Sequence, residues 1–261
     1  MLDEPTTLPE CYLEEFRPVE FLAVGGQSHI HIVEEKKSRQ LMVLKVYKDE
    51  TNRAAEIFDL VRSLKHPCVL KPLRYFNLNP KAMLLPLVRG VTLQQKIQKK
   101  PLSFEQAGII LAQLVGLLSS FVDAGLVHRD LKPDNLYLDQ ALHCFVGDFD
   151  FAHVSRGFFS DLFLPLRYRT QGTTYYMSPE HLKAAIPHPA MDEYAVATLY
   201  YQCLSMTFPF GTSIEDRFDV NKYRPATILT KSQNAILLKA LHPKRAARPS
   251  IRELYESLYL Y

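Results

Sequence analysis

Residues 127–135 read Val127-His128-Arg129-Asp130-Leu131-Lys132-Pro133-Asp134-Asn135, and Asp148-Phe149-Asp150 follows after a short apolar stretch. This pair of segments decides the fold prediction because its side chains include a possible general base and possible metal ligands. A carboxylate can orient a hydroxyl group and accept its proton. Amide and carboxylate oxygens are hard ligands of the kind that Mg²⁺ prefers. These groups appear in the order that phosphoryl transfer from a nucleotide requires.

Four side chains have a predicted role in that chemistry. Asp130 is the candidate base, and Lys132 is placed to neutralise charge that develops on the transferred phosphoryl oxygens. Asn135 and Asp148 are the candidate metal ligands. Two short apolar strands separate these ligands and predict an antiparallel hairpin, which would bring the two side chains together.

Each segment alone is typical of an ordinary surface turn or strand end, but together they match the catalytic-loop and metal-loop signatures of protein kinases. The chain therefore resembles the eukaryotic-type Ser/Thr protein kinase family. The resemblance implies an α+β, bilobal fold with a small antiparallel β-sheet lobe, one main helix in that lobe, and a larger α-rich lobe. The implied boundaries are an N-terminal extension at 1–14 and a catalytic domain at 15–261, with an N-lobe at about 15–85, a hinge at 86–90 and a C-lobe at 91–261.

Composition agrees with one intracellular catalytic domain. The 261 residues are 47% hydrophobic, which is enough for a large core, and the net charge of +3 gives no case for nucleic acid binding. The four cysteines are far apart, so we expect reduced thiols in a cytoplasmic or other reducing compartment. We expect neither a secretory signal nor a membrane span, because no fully apolar stretch approaches the required length.

The spacing of apolar residues predicts the main elements. An alternating pattern predicts strands, and a helical spacing predicts helices. The predicted strands are 19–24, 30–33, 41–47, 69–76 and 82–88, and the predicted helices are 51–65, 104–124 and a helix through Met206 that Asp192 opens.

A glycine-containing turn lies where the family covers the nucleotide phosphates, and it allows two registers. A motif that starts at Gly25 puts bulky Gln27 and Ile30 at the later glycine positions, which is sterically poor. A motif that starts at Ala23 makes Ile30 the apolar roof over the adenine, and we prefer it because Ile30 then precedes Lys45 by fifteen residues.

The resemblance implies that Lys45 holds the α and β phosphates, as a third catalytic residue beside Asp130 and Lys132, and pairs with Glu56 on the helix. Glu56 follows Lys45 by eleven residues, which is fewer than usual in the family. Leu85 would control access behind the adenine, while the hinge would bind the ring. The full predicted nucleotide site is Leu22, Gly25, Gly26, Ser28, Ile30, Val43, Lys45, Glu56, Leu85, Pro86, Val88, Asn135, Tyr137 and Asp148.

Several residues have predicted supporting roles. Glu180 and Arg248 would form a buried ion pair, Asp192 would anchor the backbone of the catalytic loop, and Thr173 would brace the base and Lys132. We expect phosphorylation within 155–174, by an activating kinase or by autophosphorylation, with Arg129 as the receiving group and Thr170 as the preferred site. The hydroxyls and arginines considered are Ser155, Ser160, Thr170, Thr173, Thr174, Arg156, Arg167 and Arg169.

The leading hypothesis is an ATP-dependent serine/threonine protein kinase that uses Mg²⁺, or alternatively Mn²⁺, and a protein substrate. Lys132 favours Ser/Thr specificity within the family. The alternative is a pseudokinase or slow kinase that acts mainly as a nucleotide-binding scaffold, because Asp150 replaces a glycine and the phosphate loop is poor in glycine. A small-molecule kinase is disfavoured, since residues 173–180 resemble a peptide-docking loop.

Overall fold

The structure is a computed structural model that describes residues 7–48, 53–155, 157 and 161–260. The chain forms two compact units, the first from residues 1–65 and 69–89 and the second from residues 66–68 and 90–261. The first unit contains an antiparallel sheet and the second is mainly helical. The predicted α+β fold is confirmed.

The first unit is built on a five-stranded antiparallel sheet with the strand order β1-β2-β3-β5-β4. In the described part of this unit, two helices accompany the sheet. The elements are α1 (Glu10–Leu13), β1 (Phe16–Val24), β2 (Ser28–Glu35), β3 (Leu41–Tyr47), α2 (Ala54–Ser63), β4 (Arg74–Phe76) and β5 (Ala82–Pro86).

One face of this sheet carries the core of the first unit. Met42, Leu44 and Val46 alternate along β3 and are buried together with Tyr12 and Phe76. The Tyr12 and Phe76 rings meet edge to face at 5.5 Å, a favourable aromatic geometry. Since Leu8 and Tyr12 lie within the segment predicted as an N-terminal extension, that segment contributes two side chains to the core of the unit.

The second unit contains the long helix α4 and several shorter elements. They are β6 (Val91–Thr92), α3 (Leu93–Ile97), α4 (Phe104–Asp123), β7 (Leu126–Val127), β8 (Leu136–Leu138), β9 (Cys144–Val146), β10 (His153–Val154), α5 (Leu166–Arg169), α6 (Pro179–Leu182), α7 (Pro189–Ser205), α8 (Lys231–Ala240) and α9 (Ile251–Tyr259).

Helix α4 forms as its sequence predicts. Ser103 and Gln106 form a capping box at its start. The chain leaves the helix through Gly125, which has a φ of 63° that favours glycine. Its apolar side packs on α7 and α9.

By length and composition alone, α4 could also cross a membrane. Half of the window that meets this test is buried within the protein, however, and the core helix of a folded domain meets the same test. The packing of α4 therefore accounts for its apolar character without a membrane.

Some predicted boundaries are wrong. The strand predicted over 69–76 forms only at Arg74–Phe76, and the strand predicted over 82–88 ends at Pro86. Helix α1 was not predicted at all. The helix expected to open at Asp192 begins at Pro189, because proline is well suited to the first helical turn. Residues 51 and 52 of the predicted helix lie outside the described residues.

Candidate active site

The catalytic loop is held to helix α7 through its backbone. Asp192 Oδ2 accepts the His128 amide at 2.7 Å, and Oδ1 accepts the Arg129 amide at 2.8 Å. Arg129 has a φ of 69°, so this clamp fixes a turn that a non-glycine residue rarely adopts. Burial raises the pKa of Asp192 to about 7, although the two amide hydrogen bonds act in the opposite direction. The predicted anchoring role of Asp192 is confirmed.

The side chain of Asp130 accepts four hydrogen bonds from three residues. Its Oδ1 accepts the amide and the hydroxyl of Thr173, each at 2.7 Å. Its Oδ2 accepts Lys132 Nζ at 2.9 Å and Asn135 Nδ2 at 3.1 Å. The Lys132 ammonium also donates to Thr173 Oγ1 at 2.8 Å. This network fixes the carboxylate in one orientation and confirms the predicted contacts of Thr173 with Asp130, the candidate base, and with Lys132.

Asn135 and Asp148 both flank the open end of the hairpin formed by β8 and β9, Asn135 just before β8 and Asp148 just after β9. Leu136 pairs with Val146, and the Gly147 amide donates to the Asn135 carbonyl at 3.0 Å. The predicted hairpin is therefore confirmed, and it places Gly147, the neighbour of Asp148, against Asn135. Asp148 itself has a φ of 59°, in the left-handed region.

The donor set of Asn135 and Asp148 fits a hard divalent cation. Asn135 Nδ2 donates to both the carbonyl and the carboxylate of Asp130, which fixes the orientation of the amide. Among the described residues, none donates to Asn135 Oδ1, so this oxygen is available as a ligand. No group of three or more His, Cys, Asp or Glu side chains in the described part of the chain could hold a metal ion, so a metal here would use an amide and a carboxylate.

An aromatic cluster supports the segment that begins at Asp148. The Phe149 ring lies 4.6 Å from the His128 ring and 5.9 Å from the Phe121 ring. His128 Nε2 donates to the Gly147 carbonyl, while Nδ1 accepts the Asp130 amide. One neutral tautomer satisfies both contacts, and burial lowers the pKa of His128, which favours that neutral form.

The predicted nucleotide residues Ile30, Val43, Lys45 and Leu85 share one face of the sheet in the first unit. Pro86 lies opposite Met42 and therefore belongs to the other face. Ile30 lies opposite Lys45 in the β2–β3 ladder, and Val43 lies opposite Leu85 in the β3–β5 ladder. Because side chains alternate along a strand, Val43 and Lys45 point away from the face that carries the core cluster. Lys45 is buried, and its Nζ lies 5.5 Å from the centre of the Tyr47 ring.

The turn between β1 and β2 contains the predicted phosphate loop. The Gly25 amide donates to the Ser28 carbonyl at 2.8 Å, and Ser28 is buried. Lys48 Nζ donates to the Gly25 carbonyl at 2.6 Å, a contact that sequence reasoning missed. A Cβ added at Gly26 would meet no atom within 4 Å, so space is not what requires glycine there. Leu22 is exposed on β1.

Glu56 does not face the interior of the first unit. Its carboxylate accepts Arg53 Nε at 2.9 Å, and its side chain is 58% exposed. The buried residues of α2 are Ala54, Ile57 and Val61. The helix therefore turns apolar side chains inward and gives no support to pairing between Glu56 and Lys45, which stays a prediction.

The remaining nucleotide residues are partly buried. Leu85 and Pro86 end β5, and Val88 follows that strand. Tyr137 lies on β8 in the second unit, opposite Phe145. The structure thus places predicted nucleotide residues in both units, while the predicted base, Lys132 and the metal ligands all belong to the second.

Arg129 and Asp161 hold parts of the segment after Asp148 in place through hydrogen bonds. Arg129 donates to the Tyr168 carbonyl and, at 3.4 Å, to Gln171 Oε1. Asp161 accepts the Ser155 hydroxyl at 2.6 Å and lies 3.0 Å from His153 Nε2, contacts that the sequence did not reveal because loop conformation brings these residues together.

The predicted phosphorylation site at Thr170 is exposed. Its hydroxyl donates to the Leu166 carbonyl at 3.4 Å. The predicted candidates Ser160 and Arg156 lie outside the described residues, as does the side chain of Arg167. Thr170 remains a prediction.

Glu180 and Arg248 form the predicted ion pair. The two bonds join Nη1 to Oε1 at 2.7 Å and Nη2 to Oε2 at 2.6 Å. Burial would raise the pKa of Glu180, but the hydrogen bonds and charge of Arg248 outweigh it and lower the pKa. The prediction is confirmed.

Comparison with known proteins gives the same family as the site. The family model described as "Protein kinase domain" matches residues 16–260. A probable serine/threonine-protein kinase of Dictyostelium discoideum is 29% identical over 71% of the chain and 42% of its own length. CBL-interacting protein kinase 10 of Oryza sativa subsp. japonica is 25% identical over 90% of the chain and 54% of its own length.

A third relative, the probable myosin light chain kinase of Dictyostelium discoideum, is 30% identical over 71% of the chain and 61% of its own length. The matched regions thus span about half the length of these relatives. Since the family match covers nearly the whole chain and the site contains the bonded aspartate, lysine and asparagine, the chain belongs to the protein kinase family.

Proposed function

We propose that this chain is an ATP-dependent serine/threonine protein kinase, which transfers the γ-phosphoryl group of ATP to Ser or Thr hydroxyls of proteins. The hydrogen-bond network around Asp130 carries this proposal. It holds a carboxylate, an ammonium group and an amide in mutual contact. Positioning and electrostatic stabilisation are the main contributions that a protein makes to phosphoryl transfer.

Asp130 would accept the proton of the substrate hydroxyl. Its side chain is 1% exposed and that of Lys132 is 22% exposed, so the hydroxyl would displace part of the covering formed by Lys132 and Thr173. Lys132 would then be released from Asp130 and could donate to the phosphoryl oxygens. Asp192 would keep the loop backbone fixed while these side chains exchange partners.

Asn135 and Asp148 would hold Mg²⁺, or alternatively Mn²⁺. When bound, the metal would supply positive charge opposite the phosphate oxygens. The neutral amide of Asn135 would add a ligand without a second full negative charge. In the first unit, Lys45 would hold the α and β phosphates, and Ile30, Val43 and the residues from Leu85 to Val88 would hold the adenine.

We further propose that the protein acts in the cytoplasm or another reducing compartment. The cysteines in the described part of the chain are free thiols, and Cys68, Cys144 and Cys203 are buried. Burial raises the pKa of each of these three thiols, which makes them poorly reactive.

Phosphorylation within 155–174, by this kinase or by another, would be found by mass spectrometry of the protein after incubation with ATP.

The deciding experiment is transfer of radiolabelled phosphate from ATP to a generic basic protein. We expect acid hydrolysis of the product to yield phosphoserine and phosphothreonine. Asp130→Ala should lower the rate by about 10²–10⁴-fold, the range for loss of a general base. Asp134→Asn changes an exposed carboxylate in the same loop and is the matched control. Equal rates of phosphate transfer for the wild type and Asp130→Ala would show that this chain does not catalyse the transfer through Asp130 and would contradict the proposed activity.

A nucleotide-binding scaffold is the second candidate, and Asp150 favours it because it adds a negative charge two residues after Asp148. That carboxylate would repel the phosphates near Asp148 and slow their transfer, while the nucleotide could still bind. This function predicts that a fluorescent ATP analogue binds the wild type, that Lys45→Met weakens the binding, and that no phosphate is transferred. Transfer that depends on Asp130 would exclude this candidate as the main function.

A further inference from the structure

A cavity of about 190 Å³ opens in the second unit among the C-terminal end of α4 and the first turns of α7 and α9. Its apolar wall includes Leu118, Val122, Leu126 and Ile251, and its polar wall includes Asp192 and Glu193. An apolar cavity of about 150 Å³ is large enough to bind benzene. This cavity can therefore hold one small ring with a short substituent.

Glu193 gives the cavity a negative group that is only partly satisfied. Its Oε1 accepts the Ile251 amide at 3.1 Å, and no described residue donates to Oε2. Arg248 acts on Glu193 through its charge, but the guanidinium of Arg248 is already bonded at both ends to Glu180. A carboxylate beside apolar walls is costly unless a cation or donor pairs with it.

The helix ends around the cavity offer little to an anion. Glu193 occupies the Ile251 amide, and Ser250 and Glu253 satisfy each other in a capping box at the start of α9. Arg252 lies on the rim, where it is exposed. Both oxygens of Asp192 accept the His128 and Arg129 amides, so Glu193 is the carboxylate of the lining whose second oxygen can pair with a cation.

Asp192 links the cavity to the catalytic loop. The same carboxylate that lines the cavity accepts the amides of His128 and Arg129. A ligand in contact with Asp192 would therefore hold the residue that fixes the loop backbone.

We infer that this cavity is a binding site for a small organic cation, in which an ammonium or amidinium group pairs with Glu193 and an apolar ring lies between α4 and α9. The inference rests on the second unit alone and does not depend on kinase activity. A cation bound in the cavity would stabilise the hydrogen bonds from the His128 and Arg129 amides to Asp192.

Benzylamine is the test probe, with neutral benzyl alcohol and anionic phenylacetate as probes of matched shape. Binding is measured by chemical-shift titration of the full chain. We expect benzylamine to bind saturably and Glu193→Gln to weaken it about tenfold or more, since a hydrogen bond to a charged group is lost. Glu105→Gln, an exposed change on α4, should have no effect. Val122→Phe should block the rim and abolish binding.

Benzyl alcohol or phenylacetate binding as tightly as benzylamine would overturn the inference, as would binding unaffected by Glu193→Gln. N-acetyl-arginine amide binding more than about tenfold tighter than benzylamine would overturn the small-molecule assignment in favour of an arginine side chain of a partner protein. Saturating benzylamine should slow hydrogen exchange at the His128 and Arg129 amides. Unchanged exchange would refute the link to the catalytic loop.

Discussion

Replacement of Arg248 by methionine is predicted to destabilise the second unit strongly. The Arg248 guanidinium makes two charge-assisted bonds to Glu180 and one bond of 2.7 Å to the His242 carbonyl. It also lies 4.9 Å from the centre of the Tyr194 ring. The Arg248 side chain is 3% exposed and that of Glu180 is 16% exposed, so solvent could do little to replace the lost contacts.

The magnitude follows from leaving Glu180 buried without its partner. Removal of one member of a buried ion pair costs about 3–5 kcal/mol. For a domain of this size, about 2–4 °C of melting temperature corresponds to 1 kcal/mol, so the expected loss is about 6–20 °C. Methionine keeps part of the apolar stem, and most of the loss therefore reports the charge and its hydrogen bonds.

Urea unfolding followed by circular dichroism, together with differential scanning calorimetry, would measure this loss. Arg245→Met is the matched control, because Arg245 is exposed three residues earlier in the same loop and its loss should cost less than about 0.5 kcal/mol. Adding Glu180→Gln to Arg248→Met should recover part of the stability, since the unpaired charge is removed.

The pair also predicts a dependence on pH. The pKa of Glu180 is lowered from its ordinary value of 4.5, so its stabilisation is present above that value and is lost as the pH falls through the folded-state pKa. Arg248→Met should abolish this acid-side loss. A variant that unfolds within 2 °C of the wild type, with the same acid profile, would refute the reasoning.

Three further changes test the catalytic loop. Thr173→Val keeps the shape but removes the hydroxyl that bonds to Asp130 at 2.7 Å, so kcat should fall about 10–100-fold with little change in KM for ATP; an unchanged kcat would contradict the bracing role. Gly172→Ala should cost about 1–3 kcal/mol in urea unfolding, because φ is 129° and the added Cβ would lie 2.5 Å from the Arg129 carbonyl oxygen; a cost below 0.5 kcal/mol would contradict it. Because the pKa of Asp192 is raised to about 7, the folded state binds more protons than the unfolded state between pH 4 and 7. The free energy of unfolding should therefore fall by up to about 1.4 kcal/mol per pH unit in this range. Asp192→Asn should lack this slope, and an identical slope in the variant would contradict the raised pKa of Asp192.

The catalytic loop could be predicted from sequence because its chemistry depends on residues at fixed short spacings. Asp130, Lys132 and Asn135 lie within one loop, where backbone geometry already brings them together. The contacts from Thr173 and Asp192 could be predicted only through family resemblance, since nothing local in the sequence joins these distant positions. The structure confirms both contacts.

Other features depended on burial that the sequence pattern does not show. Helix α1 is one turn long, too short for a periodic signal, yet its Tyr12 packs in the core of the first unit. The residue type of Glu56 favours a partner for Lys45, whereas the helical phase set by Ile57 and Val61 turns Glu56 outward. The cavity beside Asp192 arises from the ends of three helices, and no segment of sequence marks it.

Asp150 stands where the family resemblance expects glycine, and the structure shows whether its backbone conformation requires a glycine. Glycine at that position would suggest a left-handed backbone, and aspartate would then be strained. Asp150 is not among the residues with positive φ; Asp148 has that conformation instead, with a φ of 59°. The backbone strain therefore lies at Asp148, the predicted metal ligand, and the packing of Phe149 against His128 and Phe121 stabilises it. We therefore expect any effect of Asp150 on activity to come from its added negative charge and not from its backbone conformation.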